Sequence, residues 1–238
     1  GQIPYDERDF ILGDFFRTIQ KIRPQFQYSL DELVSLARRV QRVSPDEERA
    51  KMAIFLIEKI LRGKYTIAQD EERIYYSENE FAKVSFASSG QQESLWIMLM
   101  TFFLIVEREN IFAILEEPEA HLYPAGQDAM MRLLALLYGA MPNNQIVITT
   151  HSPYLLSSLN NLIYAHDVGQ TSKQKVHEII HRKFWASYDD VSAYILDSGE
   201  SNGIGKSIGK SIMSAELRMV SPDEIDEISR VHNIDFER

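Results

Sequence analysis

The sequence lacks cysteine altogether, and it lacks any apolar run long enough to cross a bilayer. The absence of cysteine excludes disulfide bonds and thiolate metal sites, and it is compatible with a reducing cytoplasm. The longest apolar run, from Leu95 to Val106, is interrupted by Thr101 and is shorter than a membrane-spanning helix. No secretory signal is apparent. We therefore expect a cytoplasmic protein that has no membrane partner.

Positive charge is also scarce. The chain has 238 residues, with 25 Lys and Arg against 35 Asp and Glu, and its formal net charge is -10. This balance argues against broad nonspecific attraction to nucleic acid, although a local basic face is compatible with it. Hydrophobic residues make up 45% and charged residues 25%, as in ordinary soluble globular proteins, and the length suits one large domain or two small ones.

The stretch from residue 110 to residue 124 has the most informative pattern in the chain. Its residues Ile111 to Leu115 are all apolar, rich in β-forming types and too few for a typical helix, which predicts a central strand buried on both faces of a parallel sheet. Glu116 and Glu117 end this strand, and Pro118 prevents it from continuing. Because ligands of open α/β sheets bind at the carboxyl ends of strands, the two carboxylates form a candidate metal and water site.

A second strand with a polar residue at its end is predicted downstream. Residues 125–139 have a helical pattern, and residues 145–150 form another apolar, β-rich run that is predicted to be buried and that ends at His151. A strand, a helix and a strand in this order predict a βαβ unit with a right-handed crossover. The carboxylates and His151 therefore follow the ends of two strands of one predicted sheet.

The segments before this unit are predicted to be helical and then antiparallel. Residues 5–62 have the pattern of three helices, and residues 64–87 contain short β-rich runs separated by charged turns. Arg38, Arg39 and Arg42 are candidates for contact with nucleic acid. Acidic residues lie close to them, so a solvated helix face is the preferred interpretation.

The pattern weakens after His151. Residues 154–160 predict a short helix, and three further runs predict edge strands or short segments: 162–165, 176–180 and 193–196. Ser221 is predicted to cap a final helix.

A small polar loop, Ser88-Ser89-Gly90-Gln91-Gln92, precedes an apolar helix that is predicted over residues 94–106. Backbone N–H groups and the positive end of the helix dipole make such a loop favourable for phosphate oxygens. An ordinary N-cap loop is the alternative interpretation. The position of the loop, one helix before the acidic strand, favours the phosphate interpretation.

Four segments in this order resemble motifs of the nucleotide-binding domain of ABC-class P-loop ATPases. Residues 88–92 resemble the signature loop, residues 111–117 the Walker B strand, residues 119–122 the start of the D-loop, and His151 the switch histidine. Within this class, E-E-P-E-A-H-L-Y-P and T-T-H-S-P are most similar to OLD-type and SMC-like ATPases of prokaryotic genome defence, and S-S-G-Q-Q-E is also similar to Septu and retron-associated ATPases. The resemblance covers roughly residues 84–160 and implies an α/β P-loop fold with a mainly parallel sheet, preceded by a helical arm.

The resemblance also implies roles for individual residues. Glu116 would hold Mg²⁺ through water, although Asp is usual at this position, and Glu117 would position or deprotonate the attacking water. His151 would contact the γ-phosphate of ATP, whereas His121 would be structural. Such ATPases close as head-to-tail dimers around two nucleotides. The residues implied to contact nucleotide from the loop or the D-loop are Ser88, Ser89, Gly90, Gln91 and Glu119.

A phosphate-binding loop of the form G-x-x-x-x-G-K-[ST] is expected before the signature loop in this class, and residues 1–87 contain none. The segment Gly203-Ile204-Gly205-Lys206-Ser207 is a decoy by its spacing, because Glu200 occupies the position of the first glycine. The repeat of I-G-K-S over residues 204–211 is typical of a flexible linker. We therefore expect a C-terminal ATPase lobe without its Walker A loop, which would be inactive alone.

The predicted organisation has three parts: a helical arm or insert at 1–63, the ATPase C-terminal lobe at 64–165 and a small α/β extension at 166–238. The predicted function is ATP hydrolysis in a head-to-tail dimer or higher oligomer that regulates a nuclease or DNA-directed partner in antiphage defence. Nucleic acid is a further candidate partner. Two alternatives remain open: a noncatalytic oligomerisation or scaffold module, and an OLD-type nuclease with Asp189, Asp190 and Asp197 as faint candidates.

Overall fold

The computed structural model describes residues 10–40, 44–197 and 208–225. By internal contacts the chain divides into two units, Gly1–Thr149 and Thr150–Arg238. The domain boundaries expected after residues 63 and 165 stay predictions.

The first unit begins with the three predicted helices. They are α1 (Phe10–Ile22), α2 (Leu30–Val40) and α3 (Glu47–Leu61), and a 3-10 turn, Arg23–Gln27, follows α1 where proline interrupts the pattern. The Asp46 side chain caps α3 by accepting a hydrogen bond of 3.0 Å from the Arg49 N–H. The helical prediction for this region is confirmed within the described residues.

A small antiparallel sheet follows α3. Its strands β1 (Lys64–Ala68), β2 (Glu71–Tyr75) and β3 (Phe81–Lys83) pair in the order β1-β2-β3, as the β-rich runs between charged turns predict. Tyr65 of β1 is buried, and its ring lies edge-on to Phe26, with the ring centroids 5.9 Å apart. This contact fixes the sheet to the helical part of the first unit.

The core of the first unit lies between helices. Helices α4 (Ser89–Glu107) and α5 (Pro124–Tyr138) pack against α3 and against each other. The apolar side of α4 is almost completely excluded from solvent, with exposures of 0–4% for Leu95, Met98, Leu99, Phe102, Ile105 and Val106. Helix α4 begins five residues earlier than predicted, because the polar loop residues from Ser89 onward form its first turn.

Strands β4 (Phe112–Glu116) and β5 (Gln145–Thr149) pair in parallel, which confirms the predicted α/β class with a parallel sheet. The register places Ile114 beside Val147 and Glu116 beside Thr149. The predicted burial on both faces is wrong. Phe112 and Ile114 are each 64% exposed, because one face of this pair is not covered by the described elements.

The second unit is more helical than predicted. Helix α6 runs from Pro153 to Ile179, with non-helical angles at Ser172. The helix predicted at 154–160 is confirmed but extends further than expected, whereas the edge strands or short segments predicted at 162–165 and 176–180 are wrong, because both runs lie almost entirely within this helix. In residues 162–165 one face of the helix is buried while Tyr164 points outward with 60% exposure. A run of only four apolar residues is compatible with a buried helix as well as with a strand, so its pattern does not distinguish the two.

Short strands follow α6 in the second unit. Strand β6 (Tyr194–Asp197) pairs antiparallel with β7 (Ile208–Ser211), β8 (Met213–Ser214) pairs with β9 (Met219–Val220), and α7 (Pro222–Ile225) begins where predicted. The second I-G-K-S copy is therefore a strand and not a flexible linker. The decoy segment 203–207 lies outside the described residues. None of the described helices combines the length and the apolar character that a membrane span requires.

Candidate functional site

The two predicted carboxylates lie at the carboxyl end of β4, where the strand passes into a tight turn over residues 117–122. The Glu117 N–H donates to the Thr149 carbonyl at 2.9 Å and thereby extends the parallel ladder by one bond. Glu117 then takes a left-handed conformation with φ 41°, which is unusual for a residue with a side chain. Its carbonyl accepts from the Ala120 N–H at 2.9 Å, so the chain turns directly after the acidic pair.

A second left-handed residue completes this turn. His121 has φ 59°, and the Leu122 N–H donates to the Glu119 carbonyl at 3.0 Å. The Glu119 side chain is only 4% exposed, so it belongs to the interior of the turn. This burial favours a structural role for Glu119 in the turn. Its predicted contact with nucleotide stays a prediction.

A pocket of about 420 Å³ opens beside the acidic pair, within the first unit. One wall is the end of β4 with the following turn, and the other is the first part of α4. The lining residues are Glu93, Ser94, Ile97, Glu116, Glu117, Pro118 and Ala120. Among the described residues, the lining of this pocket thus includes three carboxylates and no cationic side chain. Glu93 was not singled out from the sequence, because a lone glutamate in the first turns of a helix has an ordinary explanation in the helix dipole.

The predicted signature-like loop forms the N-terminus of α4. Ser88 is its N-cap residue and makes a capping box with Gln91, whose Oε1 accepts from the Ser88 N–H at 3.0 Å. The Gln91 amide also donates to the Leu61 carbonyl at 2.6 Å. Ser88 and Ser89 are exposed, whereas Gly90 is buried. The N-cap alternative is therefore correct as a description of the local structure, and the exposed residues of the loop are Ser88, Ser89 and Gln92.

Gly90 lies against the turn that follows Glu117. A Cβ atom added at Gly90 would lie 2.8 Å from the His121 carbonyl carbon and 3.3 Å from Leu122 Cδ2, and nearer still to the His121 carbonyl oxygen. In addition, His121 Nε2 lies 3.5 Å from Glu93 Oε2 on the surface of the same contact. The loop and the acidic turn, which are separate motifs in the sequence, therefore pack against each other.

His151 belongs to the second unit, two residues beyond the end of β5. It is exposed and precedes Ser152, the N-cap residue of α6. The Ser152 side chain accepts hydrogen bonds from the Tyr154 and Leu155 N–H groups at 3.2 and 3.3 Å. The start of α6 thus fixes the backbone next to His151, whose predicted role at the γ-phosphate stays a prediction.

The described residues offer carboxylate ligands for a metal but not a complete set. Among them, no three His, Asp or Glu side chains are grouped closely enough to hold a metal ion. Mg²⁺ in nucleotide sites is held by one or two carboxylates together with phosphate oxygens and water. Glu116, an exposed carboxylate at the end of a strand, fits that kind of partial site.

The sequence and the fold were compared with those of known proteins. A family model described as "AAA ATPase domain" matches residues 14–156, which include the loop, the acidic turn and His151. A search of curated proteins gave no match. A solved structure described as "Structural biochemistry of ATP-driven dimerization and DNA stimulated activation of SMC ATPases" is 10% identical, with a TM-score of 0.46 over 77% of this chain and 92% of its own. An SMC head domain from Thermotoga maritima is 18% identical, with a TM-score of 0.35 over 54% of this chain and 43% of its own.

Proposed function

The chain belongs to the AAA ATPase domain family, and from that premise we propose that its acidic turn is the water-activating half of an ATP hydrolysis site. The observation that carries this proposal is the position of Glu116 and Glu117 at the exposed end of a parallel strand, at the mouth of a pocket. Ligands bind at this edge of open α/β sheets. The left-handed backbone of Glu117 supports the proposal, since such conformations are concentrated at functional sites.

The two carboxylates have different proposed roles. Glu117 positions the attacking water and accepts its proton, and Glu116 holds Mg²⁺ through water, as a hard cation requires oxygen ligands. When bound, the ion neutralises charge on the phosphate oxygens during transfer. His151 is proposed to contact the terminal phosphate because of its resemblance to the switch histidine. Phosphoryl transfer depends mostly on positioning and charge stabilisation, which the two carboxylates would provide with the bound ion.

A triphosphate needs positive partners that this pocket does not contain. Within the described part of the chain, the lining residues include three carboxylates and no Lys or Arg, so a polyphosphate alone would be repelled. We propose that a phosphate-binding loop is supplied by a separate polypeptide segment. The exposed apolar face of β4 and β5, formed by Phe112, Ile114 and Val147, runs directly to Glu116 and offers the surface on which that segment packs. Without the segment, the chain binds ATP weakly and hydrolyses it poorly.

The signature-like loop has its proposed role across a head-to-tail dimer. Ser88 and Ser89 are exposed and so are accessible to the γ-phosphate of ATP held by a second copy, while the Gln91 side chain is already bonded to the Ser88 N–H and to the Leu61 carbonyl. One related structure concerns ATP-driven dimerisation of SMC ATPases, which is consistent with this assembly. The regulated partner is proposed to be a nuclease or another DNA-directed protein in antiphage defence, acting in the cytoplasm.

Glu117→Gln tests the proposal. With the phosphate-loop segment supplied in trans, it should lower phosphate release from Mg²⁺-ATP by about 100-fold or more, since general-base catalysis contributes at least that much. It should also trap a nucleotide-bound dimer, which light scattering after size-exclusion chromatography detects. The matched control is Glu109→Gln, an exposed acid before β4 that does not line the pocket, and it should hydrolyse ATP normally. Unchanged phosphate release in the Glu117 variant would refute the assignment.

A second candidate function is a noncatalytic oligomerisation or scaffold module. The exposed apolar face of β4 and β5 favours it, because such a surface also suits a permanent protein contact. In that case ATP and the Glu117 substitution would both leave the oligomeric state unchanged. Nothing in the described residues favours an intrinsic nuclease, since no acidic metal-binding group is assembled there and Asp189 instead lies 3.5 Å from Arg218.

A further inference from the structure

The first turn of α4 and the turn at residues 117–122 are in contact through their backbones. The space that a Cβ atom at Gly90 would fill is taken by the His121 carbonyl group, so no residue with a side chain fits there without displacing the turn. The Ser94 hydroxyl donates to the Gly90 carbonyl at 2.5 Å, which holds this part of the helix in place. Glycine at position 90 is therefore required by a close approach within the same chain.

The displaced group would belong to the turn that presents Glu117. That turn contains two left-handed residues, Glu117 and His121, and it is closed by the Ala120 and Leu122 N–H hydrogen bonds. Left-handed residues with side chains persist only where their surroundings hold them. The Gly90 contact and the Glu93–His121 pair are two of the features that press on this turn from α4.

We infer that Gly90 is a positioning residue for Glu117, acting through the backbone of His121. Its catalytic consequence rests on the proposed function, but the mechanical link does not. Whatever restrains the Ser88–Gly90 loop also restrains the Glu117 turn, and by linkage the turn affects the loop to the same extent. Nucleotide contact at the loop of one copy is then transmitted to the water-activating carboxylate of that same copy, over a single backbone contact.

This role differs from a direct contact between Gly90 and phosphate. A direct contact would serve nucleotide binding, and its loss would raise KM for ATP while kcat stayed the same. A positioning role would lower kcat and leave KM nearly unchanged, because a misplaced Glu117 weakens water activation but not binding.

The mechanical link is tested first, on the full chain without nucleotide. Gly90→Ala should accelerate amide hydrogen exchange at Ala120 and Leu122 by about tenfold or more and shift the Glu117 amide resonance, because the Cβ atom forces the His121 carbonyl away. Ser89→Ala is the matched control: it changes the same loop at an exposed position and should leave the three amides as in the wild type. Unchanged exchange in Gly90→Ala would overturn the inference.

Glu93→Gln keeps the test decisive if Gly90→Ala does not fold. It removes the charge that faces His121 at 3.5 Å on an exposed surface, without adding any atom to the contact. The expected result is a smaller acceleration confined to the same two amides. An exchange pattern identical to that of the wild type would overturn the inference by this route as well.

The catalytic consequence is tested on the chain assembled with its phosphate-loop segment. Gly90→Ala should lower kcat by about 10- to 100-fold, as expected for a misplacement of a catalytic group by about 1 Å, with KM within about twofold of the wild type. A rise in KM at unchanged kcat would overturn the positioning role. If no assembly hydrolyses ATP, the proposed function fails, and the exchange measurement still decides on the mechanical link by itself.

Discussion

Helix α4 and strand β4 follow one another in the chain and have similarly apolar sequences, but they are placed in opposite ways. The apolar side of α4 is buried between α3 and α5, and Phe102 is 1% exposed. In β4 the apolar side chains alternate between a partly covered face and an open one, and Phe112 is 64% exposed. The helix contributes stability to the first unit, whereas the strand presents an exposed apolar surface and the two carboxylates at its end.

This difference shows that an apolar run in the sequence predicts a helix or strand, but does not predict which other elements bury its side chains. Burial of a helix within a three-helix core is decided by neighbours in the same unit. Burial of a parallel pair requires layers on both faces, and the described chain supplies only part of them. Substitutions in the two elements should therefore change the free energy of unfolding by very different amounts. The effects of substitutions at other contacts can be compared with these two values.

The largest effect is expected from Phe102→Ala. Truncation of this buried ring leaves a cavity in the three-helix core and should lower the free energy of unfolding by about 3–5 kcal/mol. Phe112→Ala is the matched control in β4, and it should change the free energy by about 0.5 kcal/mol or less, because its ring is mostly in water already. Urea unfolding followed by circular dichroism measures both. Equal losses would mean that the exposed face of β4 is covered in solution.

A smaller effect is expected from Asn144→Ala, which tests how β4 is anchored. Asn144 is 4% exposed, its Oδ1 accepts from the Ile111 N–H at 3.0 Å, and its amide donates to the Leu137 carbonyl at 2.7 Å. The substitution leaves both backbone groups without their partner and should lower the free energy of unfolding by about 2 kcal/mol. Asn143→Ala, at the exposed neighbouring position, is the control and should be nearly neutral. If Asn144→Ala is as neutral as Asn143→Ala, the Asn144 hydrogen bonds do not anchor β4, and packing of the β4 side chains holds the strand instead.

The smallest effect is expected in the second unit, at an exposed ion pair. The hydrogen bond that Arg218 donates to Asp167 at 2.8 Å lowers the pKa of the Asp167 carboxyl. A lowered pKa in the folded state stabilises the protein above the pKa of the unfolded chain, and this contribution is lost as the pH falls through the folded value. Thermal midpoints measured from about pH 6 to about pH 3 should therefore fall less steeply in Asp167→Asn than in the wild type.

The control for this pair is the same substitution in an Arg218→Ala background. With the guanidinium removed, Asp167→Asn should alter the pH dependence of the thermal midpoint less than it does in the wild-type background, because the neighbouring His166, at 3.4 Å, is then the remaining group that lowers the pKa of Asp167. The contribution is expected to be small, because the Arg218 side chain is 45% exposed and solvent screens the pair. A steeper fall in Asp167→Asn than in the wild type would contradict the sign of the assigned pKa change.

Much of the fold of the first unit could be predicted from the sequence because its signals are local. Pro24, the β-rich runs between charged turns and the apolar run before Glu116 each determine an element within a few residues. The parallel pairing of β4 and β5 followed from the intervening helix, since parallel strands require a crossover connection. The acidic pair could be placed at the end of β4 because it directly follows the apolar run in the sequence.

The rest depended on contacts between distant residues. The continuation of helix α6 beyond residue 160 was missed because Leu162-Ile163-Tyr164-Ala165 suits a strand locally, and only tertiary burial of Leu162 and Ile163 selects the helix. The contact of Gly90 with His121 could not be predicted, because it depends on a left-handed backbone 31 residues away that no local pattern reveals. Glu93 lines the pocket because the same packing brings the start of α4 against the turn at residues 117–122.

The open edges of the β4–β5 ladder have a consequence for how the protein behaves in solution. Each strand has only one partner among the described elements, so each presents unpaired backbone groups next to an apolar face, a combination that promotes edge-to-edge association. The net charge of -10 opposes such association by mutual repulsion between copies. This repulsion weakens as salt shortens the Debye length, from about 8 Å at physiological ionic strength to about 3 Å at 1 M. The acidic surplus therefore opposes aggregation at the exposed edges of this strand pair, and we expect the chain to aggregate least at low ionic strength.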